Sequence, residues 1–185
     1  PKVSVIIPSK NNFKLLENCL SSIVKKSNYE NLEVIIADTG SESSEIDLIN
    51  NFINENKSKI EFRLIKYDYY NFGKINNDVV KHHISNDTEL LLFCNNDIEL
   101  INDSISILVY QYLKNKQNVG TLGARLHFED NTIQHAGIVS YFSVKSKRLE
   151  IGTQQINMSD LSSQVYLMHF QNNRGVSYTA KVVVR

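Results

Sequence analysis

Asn95, Asn96 and Asp97 end an unbroken apolar run, Leu90 to Cys94. A run that short and continuous predicts a strand buried on both faces. Polar residues at the carboxyl end of such a strand stand where open α/β sheets hold their ligands. Alternate residues of an extended segment share a side, so Asn95 and Asp97 can converge on one object. Asp97 is a hard anionic oxygen donor suited to Mg²⁺ or Mn²⁺. Asn95 adds an uncharged oxygen and an NH₂ group. The competing reading is a strand-to-helix turn in which Asp97 or Asn102 caps the next helix. This stretch alone leaves both open.

Positioning those groups requires a framework, and the chain supplies a repeating one. Val3 to Ile7 is a β-branched run stopped by Pro8, which has no N–H for a ladder. Leu15, Leu16, Cys19, Leu20, Ile23 and Val24 recur at helical spacing to about Lys26. Leu32 to Ala37 predicts a second strand ending in Asp38-Thr39-Gly40-Ser41. A helix from Ser44 follows, with Ile46, Ile49, Phe52 and Ile53 on one face. Ile60 to Tyr67 predicts a third strand, and Asn71-Phe72-Gly73 turns into a helix carrying Ile75, Val79, Val80 and His83. The strand at about Glu89 to Cys94 comes next, then a helix from about Asp103 to Leu113. Four strand–helix alternations predict a three-layer, mainly parallel, Rossmann-like α/β sheet with right-handed crossovers. The common half-sheet order 3-2-1-4 sets the first and fourth strands side by side. The crevice then brings Ser9 to Asn11 next to Asn95 to Asp97, with Asp38 on the adjacent strand end.

Three polar strand ends in one crevice suit a nucleotide. The loop after the first strand, PSKNN, has no glycine, so the dinucleotide fingerprint is missing. The charge of a bound diphosphate must then be met otherwise, and a divalent cation on Asp97 is the economical means. Beyond residue 115 the pattern weakens. Val119 to Phe128 reads as a strand with bends, Glu129 to Thr132 as a turn, and Ile133 to Ser140 as a returning strand. Tyr141 to Ser163 reads as a loop, and Val176 to Val184 as a last strand.

A chain of 185 residues with zero formal net charge is long enough for a sizeable core and carries no electrostatic footprint for nucleic acid. No apolar run approaches the roughly 20 residues that span a bilayer, and no signal peptide is read ahead of the first strand. The expectation is a cytoplasmic location, compatible with peripheral attachment at the inner face of the membrane. Cys19 and Cys94 read as small buried hydrophobes in a reducing compartment, not as a disulfide or metal pair.

Taken in order, VSVIIPSKNN, IIADTGS, NFGKINNDVV, LLLFCNNDIEL and VGTLGARLHFEDNTIQHAGIVS resemble the large family of inverting glycosyltransferases with the GT-A fold. The similarity is to the bacterial branch with NND in place of Asp-x-Asp, and it covers nearly the whole chain. It implies a nucleotide-diphospho-sugar transferase fold over residues 1–185 as one domain. Residues 1–115 would be the nucleotide-binding half and 116–185 a partial, irregular acceptor-side half. It implies transfer of a sugar from a UDP- or dTDP-type donor to a glycan or lipid-linked acceptor, with inversion and with Mg²⁺ or Mn²⁺ as cofactor. The alternative from another class is a non-catalytic nucleotide-sugar-binding module of a larger polysaccharide-biosynthesis protein.

Carried over by residue, the resemblance implies that Pro8, Ser9 and Asn11 line the nucleotide pocket. Asp38 would bond the base or ribose, with Asn76 and Asn77 along that side. Asn95 would face the ribose or sugar, Asn96 would be a further nucleotide-binding residue, and Asp97 would hold the metal on the diphosphate. Each has a plainer alternative. Asp38 can cap its own turn by Asx geometry, and Asn76 and Asn77 can be solvent-facing helix residues. His135 reads as a core histidine ahead of an acceptor contact, and Arg174 as solvated ahead of a phosphate ligand. His82 and His83, being adjacent, make a poor metal pair. Two departures from the family pattern stand out. Thr39 replaces the second Asp of the usual Asp-Asp-Gly-Ser loop. The family's general base, a carboxylate following a strand like SYTAKVVVR, is expected beyond Arg185, as in a truncated chain.

Overall fold

A computed structural model describes residues 1–117, 120–135, 165–171 and 177–183. Its elements are β1 (Lys2–Ser9), α1 (Phe13–Lys26), β2 (Leu32–Asp38), α2 (Ser43–Asn56), β3 (Glu61–Lys66), α3 (Phe72–His82), β4 (Thr88–Phe93), α4 (Ser104–Asn115), β5 (Leu126–His127), β6 (Ile133–His135), β7 (Val165–Gln171) and β8 (Ser177–Val183). They fall into two compact units, Pro1–Leu122 and Gly123–Arg185.

The first unit is a parallel four-stranded sheet in the order β3-β2-β1-β4, as the strand–helix alternation predicts. Alternation along β1 and β2 sorts the core into two layers. Val3, Val5, Ile7, Val34 and Ile36 meet Leu16 and Leu20 of α1, Ile49 and Phe52 of α2, and Ile105 and Val109 of α4. On the other face Ile6, Ile35 and Ala37 meet Ile75 and Val79 of α3. Burying strands on both faces this way excludes water from their ladders, and it explains the β-branched, nearly unbroken runs.

Pro8 does not stop β1. The Ile6 carbonyl accepts from Cys94 N, and the Ser9 carbonyl accepts from Thr39 N. Even-numbered residues of β1 therefore turn their backbone groups toward β4, and odd-numbered ones toward β2. The β4 ladder ends at the Ile6–Phe93 pair, so the N–H that Pro8 lacks falls where no partner strand runs. The β2 ladder continues to Ser9–Asp38.

Burial of β4 on both faces is also corrected. Leu91 is 40% and Phe93 51% exposed, and β4 is an edge strand among the described residues. A continuous apolar run does not by itself separate a doubly covered strand from an edge strand with one bare apolar face.

In the second unit β5 and β6 form a short antiparallel hairpin, and β7 and β8 a longer one. The first hairpin turns at Asn131, φ 66°, with Asp130 Oδ1 accepting from Thr132 N at 2.9 Å. Asn tolerates that left-handed backbone better than most residues. The strand expected over Val119 to Phe128 reduces, among the described residues, to Leu126–His127. Of Ile133 to Ser140, Ile133–His135 is described, and His135 is half-buried. β7 has no counterpart in the sequence reading. The expected loop over Tyr141 to Ser163 and Arg174 lie outside the described residues. No described helix is long and apolar enough to cross a membrane.

Candidate functional site

The carboxyl ends of β1, β2 and β3 are level. Ser9 pairs with Asp38, and Asp38 with Lys66. Two loops leaving this edge are stitched together. Asn11 N donates to Ser41 Oγ at 2.7 Å, and Glu42 N donates to Asn11 Oδ1 at 3.0 Å. Asn11 and Asn12 both have φ 50°, which Asn adopts more readily than most residues.

Beside this edge lies a cleft of about 270 Å³ lined by Pro8, Ser9, Lys10, Thr39, Tyr70, Phe72, Asn95, Asn96 and Asp97. Its floor is tied across strands: Asn96 Nδ2 donates to Ser9 Oγ at 3.1 Å. Thr39 N and Oγ1 both donate to the Ser9 carbonyl, at 2.9 and 3.1 Å. Asn96 and Asp97 form a turn rather than continuing the strand. The expected alternation of Asn95 and Asp97 therefore does not apply, and all three NND residues reach the cleft. Asp97 is exposed. Helix α4 begins only at Ser104, with Asp103 at its N-cap, so Asp97 is not its cap.

Asp38 faces a second, larger cavity of about 770 Å³, whose lining includes Gly40, Ser43, Asn50, Lys66, Tyr67 and Asp68. That cavity contains none of the NND residues. The Asp38 carboxylate accepts from Gly40 N at 3.2 Å and from Ser41 N at 3.2 and 3.3 Å. This is the Asx-type turn weighed above, and Gly40, at φ 97°, is the residue that lets the chain make it.

Helix α3 separates its two asparagines. Asn77 is exposed, whereas Asn76 is 5% exposed, which corrects its solvent-facing alternative. Asn76 Nδ2 donates to the Phe72 carbonyl at 2.8 Å, and its Oδ1 is buried with no protein partner among the described residues. Neither residue lines the NND cleft. Asn76→Ala should leave stability within about 1 kcal/mol of the parent, because losing one bond is offset by removing an unpaired buried acceptor. Urea denaturation checks this. A loss above about 3 kcal/mol would mean that Oδ1 is satisfied in solution.

His82 and His83 do not diverge as their adjacency suggests. Helix α3 ends at His82, and the two imidazoles approach Asp78 at 3.9 and 3.6 Å. Among the described residues no group of three or more His, Cys, Asp or Glu is gathered to hold a metal. Asp97 with amide neighbours instead fits a cation that keeps most of its coordination for phosphate oxygens and water, the usual habit of Mg²⁺.

Four lining residues escaped the sequence reading as ligand contacts: Lys10, Thr39, Tyr70 and Phe72. Lys10 brings a cation to the cleft, and Tyr70 and Phe72 stand 70% and 46% exposed. The aromatic run before α3 was the available signal: Tyr67 and Tyr69 pack against the core layer of Ile6, Ile35 and Val79, while Tyr70 and Phe72 are left exposed.

Residues 4–174 match the family model described as Glycosyl transferase family 2. The chain is 33% identical over 144 residues to O-antigen biosynthesis protein RfbC of Myxococcus xanthus, covering 75% of this chain and 10% of that protein. It is also 33% identical over 141 residues to the uncharacterized protein y4gI of Sinorhizobium fredii, covering 75% of this chain and 15% of that one. The chain thus spans a small fraction of these curated relatives. Among solved structures, S. aureus TarS 1-349 in complex with UDP superposes with TM-score 0.51 at 20% identity, over 63% of this chain and 33% of that one. Mannosyltransferase PcManGT from Pyrobaculum calidifontis, in complex with GDP-Man and Mn²⁺, superposes with TM-score 0.53 at 19% identity, over 60% and 32%. The parallel β3-β2-β1-β4 sheet matches these glycosyltransferase neighbours in fold.

Proposed function

The chain belongs to glycosyl transferase family 2, and from that premise we propose that the NND cleft binds the diphosphate of a nucleoside-diphosphate sugar. The proposed activity is transfer of that sugar, with inversion, to a glycan or lipid-linked acceptor. The observation that carries the reading is the meeting of Asp97, Asn95 and Asn96 with Pro8, Ser9 and Lys10 in one cleft at the carboxyl ends of β1 and β4.

Each group has a physical task. Lys10 supplies positive charge for the diphosphate. Asn95 and Asn96 offer amide donors and acceptors to ribose or sugar hydroxyls, and the Asn96–Ser9 bond holds that side of the cleft in place. Asp97 would hold Mg²⁺ or Mn²⁺, which when bound stabilises charge growing on the departing diphosphate. The nucleoside extends toward Asp38. A carboxylate has about four acceptor positions, so the bonds to Gly40 and Ser41 leave capacity for a base or ribose donor. Asn11 contributes by fixing the loop between Lys10 and α1.

The test is titration calorimetry with UDP, dTDP and GDP, with and without Mn²⁺. At least one should bind, and more tightly with the metal. Absence of binding to all three in both conditions would sink the reading. Asp38→Ala should weaken the preferred nucleotide by a similar factor with and without Mn²⁺, about tenfold for one charge-assisted bond. A loss confined to Mn²⁺ would move Asp38 to the metal's surroundings.

A further inference from the structure

Two thiols far apart in sequence converge behind the cleft. Cys19 lies on α1 and is wholly buried, and Cys94 immediately follows β4 and is half-buried. Both point at one atom: the Asn95 carbonyl oxygen lies 3.6 Å from Cys19 Sγ and 3.3 Å from Cys94 Sγ. Asn95 itself lines the cleft. A carbonyl shared by two S–H donors ties the end of β4 to α1, and it brings the two sulfurs close together.

We infer that Cys19 and Cys94 form a reversible dithiol–disulfide pair, oxidised by a low-molecular-weight disulfide, whose oxidised state weakens nucleotide binding at the adjacent NND turn. The order of attack follows from access. Cys94 is the sulfur that solvent can reach, and Cys19 is sealed in the core. The neighbouring Cys19 thiol also lowers the pKa of Cys94 and so favours its thiolate, while Cys94 and burial push the Cys19 thiol up. In the first step the Cys94 thiolate attacks one sulfur of the small disulfide. One small thiolate leaves with the bonding electrons and takes a proton from solvent. Cys19 then gives its proton to solvent, and its sulfur attacks Cys94 Sγ and expels the second small thiol. The protein loses two electrons and two protons, one proton from each thiol, and the small disulfide becomes two thiols.

The consequence for the cleft is geometric. Forming the S–S bond removes both S–H donors from the Asn95 carbonyl and draws Cys94 toward α1. Asn95 to Asp97 follow directly in the chain. Displacements of about 1 Å in a positioned site cost large factors, up to roughly 100-fold. The affinity half of this inference rests on the nucleotide-binding reading above, whereas the disulfide itself does not.

The experiment incubates the folded, reduced chain with oxidised glutathione, quenches with an alkylating agent, and reads intact mass and non-reduced peptide maps. The expected product has lost two hydrogens and joins the Cys19 and Cys94 peptides, and dithiothreitol reverses it. In calorimetry with Mn²⁺, affinity for the best of UDP, dTDP and GDP falls about tenfold or more on oxidation. Cys19→Ser, which keeps a hydrogen-bond donor toward the Asn95 carbonyl, keeps the reduced-state affinity and loses the response, and Cys94→Ser serves if the first variant does not fold. A glutathione adduct that persists on Cys94 without a cross-link, or two unmodified thiols, overturns the pair. A cross-link that leaves affinity unchanged overturns its coupling to the cleft. Failure of the reduced chain to bind any of the three nucleotides counts against the donor-site reading alone, because the mass measurement does not depend on it.

Discussion

Asp97→Asn should remove the Mn²⁺-dependent part of nucleoside-diphosphate binding and leave the fold intact. Asp97 is exposed, and no described side chain or backbone group bonds to it. Its replacement by an isosteric amide therefore breaks nothing in the folded chain. Substitutions at such exposed positions usually stay within about 0.5 kcal/mol. The change in chemistry is large by comparison. An amide is a much poorer ligand for a hard dication than a carboxylate, and within the NND cleft Asp97 is the sole carboxylate. The expected loss is roughly 10- to 100-fold in affinity with Mn²⁺ present, the scale of a contact to a charged group. Without metal, parent and variant should bind alike or the variant slightly better, because the substitution also removes a negative charge facing the diphosphate. Calorimetry on both proteins with and without Mn²⁺ reads all four numbers. Equal Mn²⁺-dependent affinity in the two would take the metal role from Asp97.

The sheet order was legible because a strand–helix alternation with short connections admits few topologies. The level of the strand ends followed from it, and that placed Ser9 beside Asn96 before any contact was known. What the sequence left unread depends on matters that periodicity does not encode. Whether Leu91 and Phe93 are covered depends on what lies next to β4, not on the strand itself. Pro8 looks like a terminator until the side to which its missing N–H points is known. β7 stands in a short apolar stretch beside a polar one, and hairpin pairing with β8, the next strand, decides its state. The Cys19–Asn95 contact joins residues on different elements, and nothing local marks it. Asp38 shows the opposite limit. Its turn and nucleoside readings were both legible as alternatives, and the structure displays the turn bonds directly.

Glu33→Ala should strongly destabilise the first unit, by about 3 kcal/mol, the scale of leaving several buried donors without their acceptor. Glu33 is fully buried at the amino-terminal side of β2. Its carboxylate is surrounded by donors: Ser4 Oγ from β1, Ser85 N and Oγ at 2.8 Å each, Thr88 Oγ1 from β4 at 3.2 Å, and Arg63 Nη2 of β3 at 3.2 Å. One side chain thus pins all four strands at the end opposite the cleft. Alanine would take the shared acceptor from four hydroxyl or amide donors and from Arg63, which keeps Glu61 as its other carboxylate partner. Glu33→Gln should cost less but still destabilise, because its NH₂ would point a donor at donors. The pH dependence has a definite sign. Burial alone would raise the Glu33 carboxyl, but bonds from Ser4 and Ser85 and the charge of Arg63 outweigh it and hold it below its ordinary 4.5. A depressed folded value means that the stabilisation is complete above the unfolded value and is lost as pH falls through the folded one. The parent should therefore lose stability below about pH 4.5, and both variants should lose less over the same range. Urea denaturation of the three proteins at pH 7 and at pH 4 measures both effects. Matching midpoints at pH 7 would mean that the cluster is no stronger than its replacement. A variant whose acid slope equals the parent's would assign that slope to other carboxylates.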